Sequence, residues 1–351
     1  MTNSMSKDRC TELSIAFAIA FAGACAMGAL AMVVPAHAAT TAKATAAVAA
    51  PTATDPEPFA PAATTPTTSL ERIKATGKIT LGYRADAAPM SYRDAGGRPA
   101  GYSVTLCNRV ADAMKRDLGA APPSVEWIEV RPGFSDVETH RVDMICAADE
   151  VTLANRATVS FSIPVFPGGV SALLRANRPK AFQQALEERP KPYEILWRGT
   201  PPPTLEHRTY SAVVDSATMA GVEERIAELR MTANVKPVTD YDAGIQAVLR
   251  TQTDVLFGDR QKLLHAVQVN PNAKDLKVLT RHFTFVALAL AVPRNDDDFR
   301  LAVDRALSSS VYPDPQFGAL YTLEFGTPDA DTVAFFRSVG VPASSPVGPT
   351  Q

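Results

Sequence analysis

The sequence predicts an α/β fold built around two sheets. Stretches with the two-residue period of a strand alternate with stretches of helical spacing, which is the pattern of mostly parallel sheets covered by helices. The alternation recurs further along the chain. At 351 residues, two sheets fit better than one.

The N-terminal region precedes this pattern. Lys7 and Arg9 stand before an uncharged, Ala-rich apolar stretch over 13–34, followed by Pro35 and Ala36-His37-Ala38. A charged start, an apolar centre and a small-x-small site predict a cleaved export signal over 1–38. The stretch is long enough to span a bilayer, so an uncleaved anchor is the competing reading. Cys25 follows Ala22-Gly23-Ala24, without the Leu that a lipidation site carries three residues before its Cys. From 39 to 68 the chain is largely Ala, Thr and Pro. Such a segment buries too little surface to offset chain entropy, and it is expected to be a disordered leader.

Strand and helix signals then follow in order. Ile79, Leu81 and Tyr83 alternate with Lys78, Thr80 and Gly82, a strand. Cys107, Val110, Ala111, Met114 and Leu118 form one helical stripe, which Gly119 ends. Strands are expected at 125–130 and 142–146. Further on, 210–214 reads as a strand, and Val222, Ile226 and Leu229 share one helix face. A short strand at 255–257 leads into a helix over 260–267. The apolar run 283–292 suits a buried strand, and 299–309 a last clear helix carrying Leu301, Val303, Ala306 and Leu307. The segment 187–207 holds Pro190, Pro192 and Pro201-Pro202-Pro203, which oppose regular structure. It reads as a surface insertion, or as a rim over a ligand cleft or a partner contact, with Tyr193 and Trp197 as exposed aromatics. The tail 341–351 is expected to fray.

Cysteine usage agrees with export. Of four Cys, two lie in the signal, leaving Cys107 and Cys146. In an oxidising compartment an even pair reads as a disulfide, with two buried thiols as the alternative. The bond would pin the buried face of the first helix to a neighbouring strand.

Several function classes lack support. A formal net charge of −2 is unlike that of a general nucleic-acid binder. There is no GxGxxG, no phosphate loop with a Lys, no paired CxxC and no His pair at metal-helix spacing. No nucleophile-elbow pattern surrounds any Ser. No cofactor or metal is implied.

Beyond these patterns, particular residues carry a resemblance. Leu81-Gly82-Tyr83-Arg84-Ala85-Asp86 through Pro89-Met90-Ser91-Tyr92, then Gly101-Tyr102-Ser103, resembles the opening of family 3 periplasmic solute-binding proteins. These are the amino-acid receptors of ABC importers, and the glutamate/aspartate-like branch is the most similar. Val142-Asp143-Met144-Ile145-Cys146, Val159-Ser160-Phe161-Ser162, Asp254-Val255-Leu256-Phe257-Gly258-Asp259 and Ala289-Leu290-Ala291-Val292-Pro293 continue the match. The resemblance implies a type II periplasmic-binding-protein fold, with two α/β lobes joined by two crossing segments. Lobe 1 would be 69–166 plus 286–340, and lobe 2 would be 167–285 with the proline-rich insertion. It also implies a periplasmic monomer that closes on a small polar ligand and is recognised by an inner-membrane ABC permease.

The resemblance also implies roles for residues. An Arg after a threonine-rich turn would clamp the ligand carboxylate, and an Asp in lobe 2 would take the ammonium. Asp259 stands where that Asp belongs, with a helix N-cap as its competing role. The clamp does not carry over. The family spacing, counted back six residues from Phe161, reaches Asn155, with Arg156 beside it. Asp149 and Glu150 stand where two Thr are expected, and Thr152 remains. In lobe 2, Ser216-Ala217-Thr218 replaces Gly-Thr-Thr, so Thr218 keeps one hydroxyl near a positive helix end. Arg156 turned inward, or Arg84 at the strand end, could supply the missing cation; Arg84 could equally be a surface charge. Asp149 and Glu150 could line the cleft or form a solvated turn. Met90 occupies an aromatic position of that branch, and Tyr92 could replace the stacking or be structural. The acidic substitutions give weight to amine-bearing ligands.

Two other functions stay open. Cyclohexadienyl dehydratases share the fold, and Glu150 would be the acid there. A ligand-less signalling or scaffolding relative is the third.

Overall fold

A computed structural model describes residues 68–119, 121–188, 203–310 and 315–342. The expected signal and leader, Tyr193 and Trp197, and the tail beyond 342 lie outside the described residues.

The first elements are helix α1 (Ser69–Thr76), strand β1 (Lys78–Tyr83), and three short strands, β2 (Asp86–Ala87), β3 (Ser91–Arg93) and β4 (Pro99–Ala100). Helices α2 (Tyr102–Ala113) and α3 (Lys115–Leu118), β5 (Ser124–Glu129), α4 (Ser135–Glu138), β6 (Met144–Glu150), α5 (Leu153–Thr158), β7 (Ser160–Phe161) and β8 (Phe166–Gly168) follow. Next come β9 (Val170–Arg175), α6 (Lys180–Glu187), β10 (Thr209–Val213), α7 (Ala217–Glu228), β11 (Asn234–Val238), α8 (Tyr241–Leu249), β12 (Val255–Asp259), α9 (Arg260–Val269) and β13 (Leu276–Val278). The chain ends with β14 (Val286–Val292), α10 (Asp297–Ser310), α11 (Pro315–Phe325) and α12 (Ala330–Val339).

Two large sheets organise these elements. One has the order β5-β1-β6-β14-β7, with β8 also beside β14; the other has the order β11-β10-β12-β9-β13. A small third sheet holds β2, β3 and β4. The large sheets are less parallel than expected. β1 runs parallel to β5 and β6, but β14 runs antiparallel to β6, β7 and β8. In the second sheet β9 is antiparallel to both β12 and β13. A parallel neighbour requires a crossover within its own sheet. β9 and β14 instead arrive from the other sheet, and that entry sets their direction. Pro237 sits in the edge strand β11, where a missing N–H costs no ladder bond on the outer side.

Each sheet has its own core. Ile79, Leu81, Leu106, Val110, Met144 and Leu290 are buried together in the first, against Phe299 and Val303 of α10. Leu174, Phe182, Tyr210, Ala212 and Val255 form a core of the second. Cys107 on α2 and Cys146 on β6 are joined by a disulfide, with Cα atoms 6.2 Å apart. Lobe 1 includes more helix than the sequence pattern showed. Tyr321 and Phe325 of α11 pack against Tyr102 and Phe166; the Tyr102–Phe325 and Phe166–Phe325 centroids are 5.1 and 4.8 Å apart. The Tyr102 hydroxyl donates to Val165 O at 3.0 Å. α11 is apolar along most of its length and shows no single stripe, so periodicity does not reveal it.

The two crossing segments lie against each other. β8 pairs with the start of β14, Gly168 opposite Val286. Just beyond, Val170 N–H donates to Thr284 Oγ1 at 2.9 Å and Phe283 N–H donates to Val170 O at 2.8 Å. Gly169, with φ of 104°, lets the backbones approach so closely that a Cβ there would overlap Thr284 O.

Candidate functional site

Arg84 is the first residue past β1, and Ser91 fixes its backbone from both sides. The Arg84 N–H donates to Ser91 Oγ at 2.9 Å, and the Ser91 hydroxyl donates to Arg84 O at 3.0 Å. The guanidinium then turns towards β6, where Nη2 meets Asp149 Oδ1 at 2.8 Å. The same nitrogen points at Gly133 O, 3.5 Å away. Only 17% of the Arg84 side chain and 7% of the Asp149 side chain are exposed. Burial pushes the Asp149 carboxyl above the usual carboxylate range, and the Arg84 charge pulls it back. Among the described residues Asp149 Oδ2 and Arg84 Nε are both buried without a hydrogen-bond partner.

Asp149 owes this placement to a break in the strand ladder. Between Ile145 and Asp149 β6 advances four residues, while β14 advances two, from Ala291 to Ala289. Ala148 takes up the excess with φ of 55°, a conformation rare outside glycine. Such a bulge re-aims the side chains beside it. β6 continues to Glu150, so Asp149 belongs to a buried strand end rather than a solvated turn. Glu150 is exposed.

The neighbouring predicted residues have local partners. Thr152 is the N-cap of α5, its hydroxyl oxygen accepting from Asn155 N–H at 3.1 Å. The Asn155 side chain donates through Nδ2 to Glu150 O at 2.8 Å. Arg156 is exposed, and among the described residues its side chain has no hydrogen bond or ion pair. Tyr92 sits in β3 opposite Asp86 and is half-buried. Burial raises its phenol pKa, with the Glu324 and Asp94 charges adding to the rise. Met90 is 3% exposed and belongs to the lobe 1 core.

In lobe 2, Ser216 caps α7, accepting from Met219 N–H at 3.1 Å and donating to Val213 O. Thr218 lies half-buried in the first turn, with no hydrogen bond to its hydroxyl among the described residues. Asp259 ends β12. Its carboxylate does not cap α9; Oδ2 is instead 2.9 Å from Lys262 Nζ. The Asp259 N–H donates to Tyr241 Oη at 2.9 Å, and Lys262 Nζ lies 5.3 Å from the Tyr241 ring centroid. Burial, with the Asp259 charge adding, raises the Tyr241 phenol pKa.

Ser91 and Lys262 are the residues the sequence reading missed here. The three-residue step from Asp259 to Lys262 is a legible helical ion pair. Nothing in the pattern around Ser91 marks its role. Arg260 was also missed. It is 2% exposed, donates to Leu279 O at 2.7 Å, and pairs with Asp329, the N-cap of α12, at 2.5 Å. α9, which begins beside Asp259, is thereby tied to the C-terminal helices.

The structure thus brings Arg84 and Asp149 together in lobe 1 and leaves Arg156 apart from them in solvent. Arg84, Asp149, Thr152, Thr218 and Asp259 lie at or just past the carboxyl ends of strands β1, β6, β10 and β12, the ends at which open α/β sheets bind ligands. A groove of about 660 Å³ lies elsewhere, lined by Pro167, His282, Phe285 and Phe335 among others, and includes none of them. Among the described residues no group of three His, Cys, Asp or Glu could hold a metal, and no helix is long and apolar enough to cross a membrane.

Comparison with known proteins agrees with this architecture. The chain is 28% identical over 239 residues to a cyclohexadienyl dehydratase of Pseudomonas aeruginosa, covering 68% of this chain and 79% of that protein. It is 32% identical over 110 residues to an L-glutamate/L-aspartate-binding protein of the same organism, but this covers only 30% of this chain and 36% of that protein. Among solved structures, a polar amino acid ABC uptake transporter substrate binding protein from Streptococcus thermophilus superposes with a TM-score of 0.59. It is 15% identical, with 78% of this chain and 96% of that one covered. The L-cystine solute receptor of Neisseria gonorrhoeae, in its unliganded open conformation, gives 0.57 at 19% identity, with 78% and 100% covered. These structural likenesses show the type II fold. The profile of one family matches residues 79–322, and the chain belongs to it: the bacterial extracellular solute-binding proteins, family 3.

Proposed function

We propose that this protein is an exported, monomeric receptor of an ABC-type importer, taking an amino acid or related amine between its lobes. One observation carries the reading. Charged and hydroxyl side chains stand at or just past the carboxyl ends of strands in both sheets, Arg84, Asp149 and Thr152 in one and Thr218 and Asp259 in the other. The lobes would extend over 69–166 plus 286–340 and over 167–285. Hinge closure about the paired crossing segments would grip a ligand from both sides and exclude water. Asp259 would receive an ammonium by exchanging its exposed Lys262 partner, and Thr218 would donate to an oxygen at the start of α7. The named amino-acid binders among the relatives support this ligand class, and an inner-membrane permease would recognise the closed form.

Calorimetric titration of the purified protein with amino acids, dicarboxylates and polyamines tests the reading. Binding of at least one amino acid or amine at micromolar concentration is expected, about 8 kcal/mol of binding free energy. No binding across the panel would overturn it.

A second reading is favoured by the dehydratase relative and by the buried Asp149, whose raised pKa suits a general acid better than exposed Glu150. Turnover of prephenate or arogenate by the same preparation would establish an enzyme. Binding without turnover would leave the receptor.

A further inference from the structure

The family resemblance offers Arg84, beside Arg156, as a cation for the ligand, yet the structure gives its charge another partner. Asp149 meets it at 2.8 Å, both side chains largely withdrawn from water. The pair is built rather than incidental. Ser91 holds the Arg84 backbone through two hydrogen bonds, and the bulge at Ala148 presents Asp149 at the end of β6. Its charges are balanced within the protein, and the exposed Glu150 carboxylate stands next along the chain. An anionic ligand group reaching Arg84 would have to displace Asp149, leaving a desolvated carboxylate unpaired. Meanwhile one acceptor, Asp149 Oδ2, is buried without a hydrogen-bond partner among the described residues. A buried carboxylate oxygen in that condition is satisfied by an added N–H or O–H donor.

We infer that Asp149 is a built-in counter-ion to Arg84, and that the lobe 1 half of the cleft selects a ligand presenting an N–H donor, as an amide or ammonium, over one presenting a carboxylate. The inference rests on the receptor reading and names the ligand class of that site. Arg84 is then a positioning residue for Asp149, and Asp149 is the specificity-determining contact. Burial raises the Asp149 pKa and the Arg84 charge opposes the rise.

Titration of the wild-type protein with glutamate, glutamine and arginine is the test, repeated with Asp149→Asn. Glutamine or arginine is expected to bind at least ten-fold more tightly than glutamate. Asp149→Asn frees the Arg84 charge, and the ratio of glutamate to glutamine affinity is expected to rise ten-fold or more. A wild-type preference for glutamate, or an unchanged ratio in a folded variant, would overturn the inference while leaving the receptor reading intact. If wild type and variant both melt cooperatively and neither binds any amino acid or amine, the receptor reading falls and takes this inference with it. Should Asp149→Asn fail to fold, Asp149→Thr provides the same comparison, and the wild-type ratio decides independently of either variant.

Discussion

At the scale of single residues, the site turns on how charges are partnered. Arg84 and Asp149 form a largely buried pair, so removing one member leaves the other exposed to the full cost of burial. Arg84→Met is expected to destabilise the protein by roughly 3 kcal/mol at neutral pH. The loss should depend on pH. Burial already holds the Asp149 pKa above its unfolded value, and losing Arg84 raises it further. A carboxyl with a raised folded pKa contributes stability that is full below its unfolded pKa and is lost as pH rises through the folded one. The variant's deficit should therefore shrink between pH 7 and pH 4. Urea unfolding at both values checks this, and an equal deficit at both would show that Asp149 is not the group left unpaired. The same scale shows what residue identity conceals. The substitutions at Asp149 and Asn155 are visible in the sequence against the family pattern. That Asp149 pairs with Arg84, and that Asn155 bonds to the Glu150 carbonyl, depends on a bulge and a helix start that no spacing rule describes.

At the scale of elements, local physics is largely readable. The Cys107 stripe predicts α2, and the alternation at Ile79, Leu81 and Tyr83 predicts β1, because each element buries one face. The disulfide joins α2 to β6, the strand beside β1. With the cysteines 39 positions apart in sequence, the bond is expected to contribute about 4 kcal/mol through the unfolded chain. Reduction, or the paired change of Cys107 and Cys146 to Ser, should lower the urea midpoint accordingly. An unchanged midpoint would mean that the bond does not constrain the unfolded state. Other elements escaped because their signals are short or masked. The strands β2, β3 and β4 have two or three residues each. In α11 Tyr321 and Phe325 are buried while Leu323 is exposed, so composition alone does not divide its faces.

For the molecule as a whole, two segments join the two large sheets. The crossing segments touch at Gly169 and Thr284, and Arg260 ties α9 to the C-terminal helices through Asp329. Gly169→Ala is expected to cost about 3 kcal/mol, because the new methyl combines backbone strain at φ of 104° with overlap of Thr284 O. Gly97→Ala provides the comparison. Its φ is 78°, but nothing lies within 4 Å of the added Cβ, so only strain of roughly 1 kcal/mol applies. Thermal unfolding of both variants tests this, and equal losses would show that the crossing segments are not in close contact.

Sequence by itself determined the fold class, the order of most strands and helices, the family, and which residue types stand at the expected site. Those properties follow from periodicity and from motifs that are contiguous along the chain. Tertiary structure alone decided that β9 and β14 run antiparallel to their neighbours, that α11 completes the lobe 1 core, and that Arg84 is neutralised from within. Each of these depends on residues far apart in sequence, Arg84 and Asp149 among them, and their meeting is set by sheet register and burial rather than by any local preference.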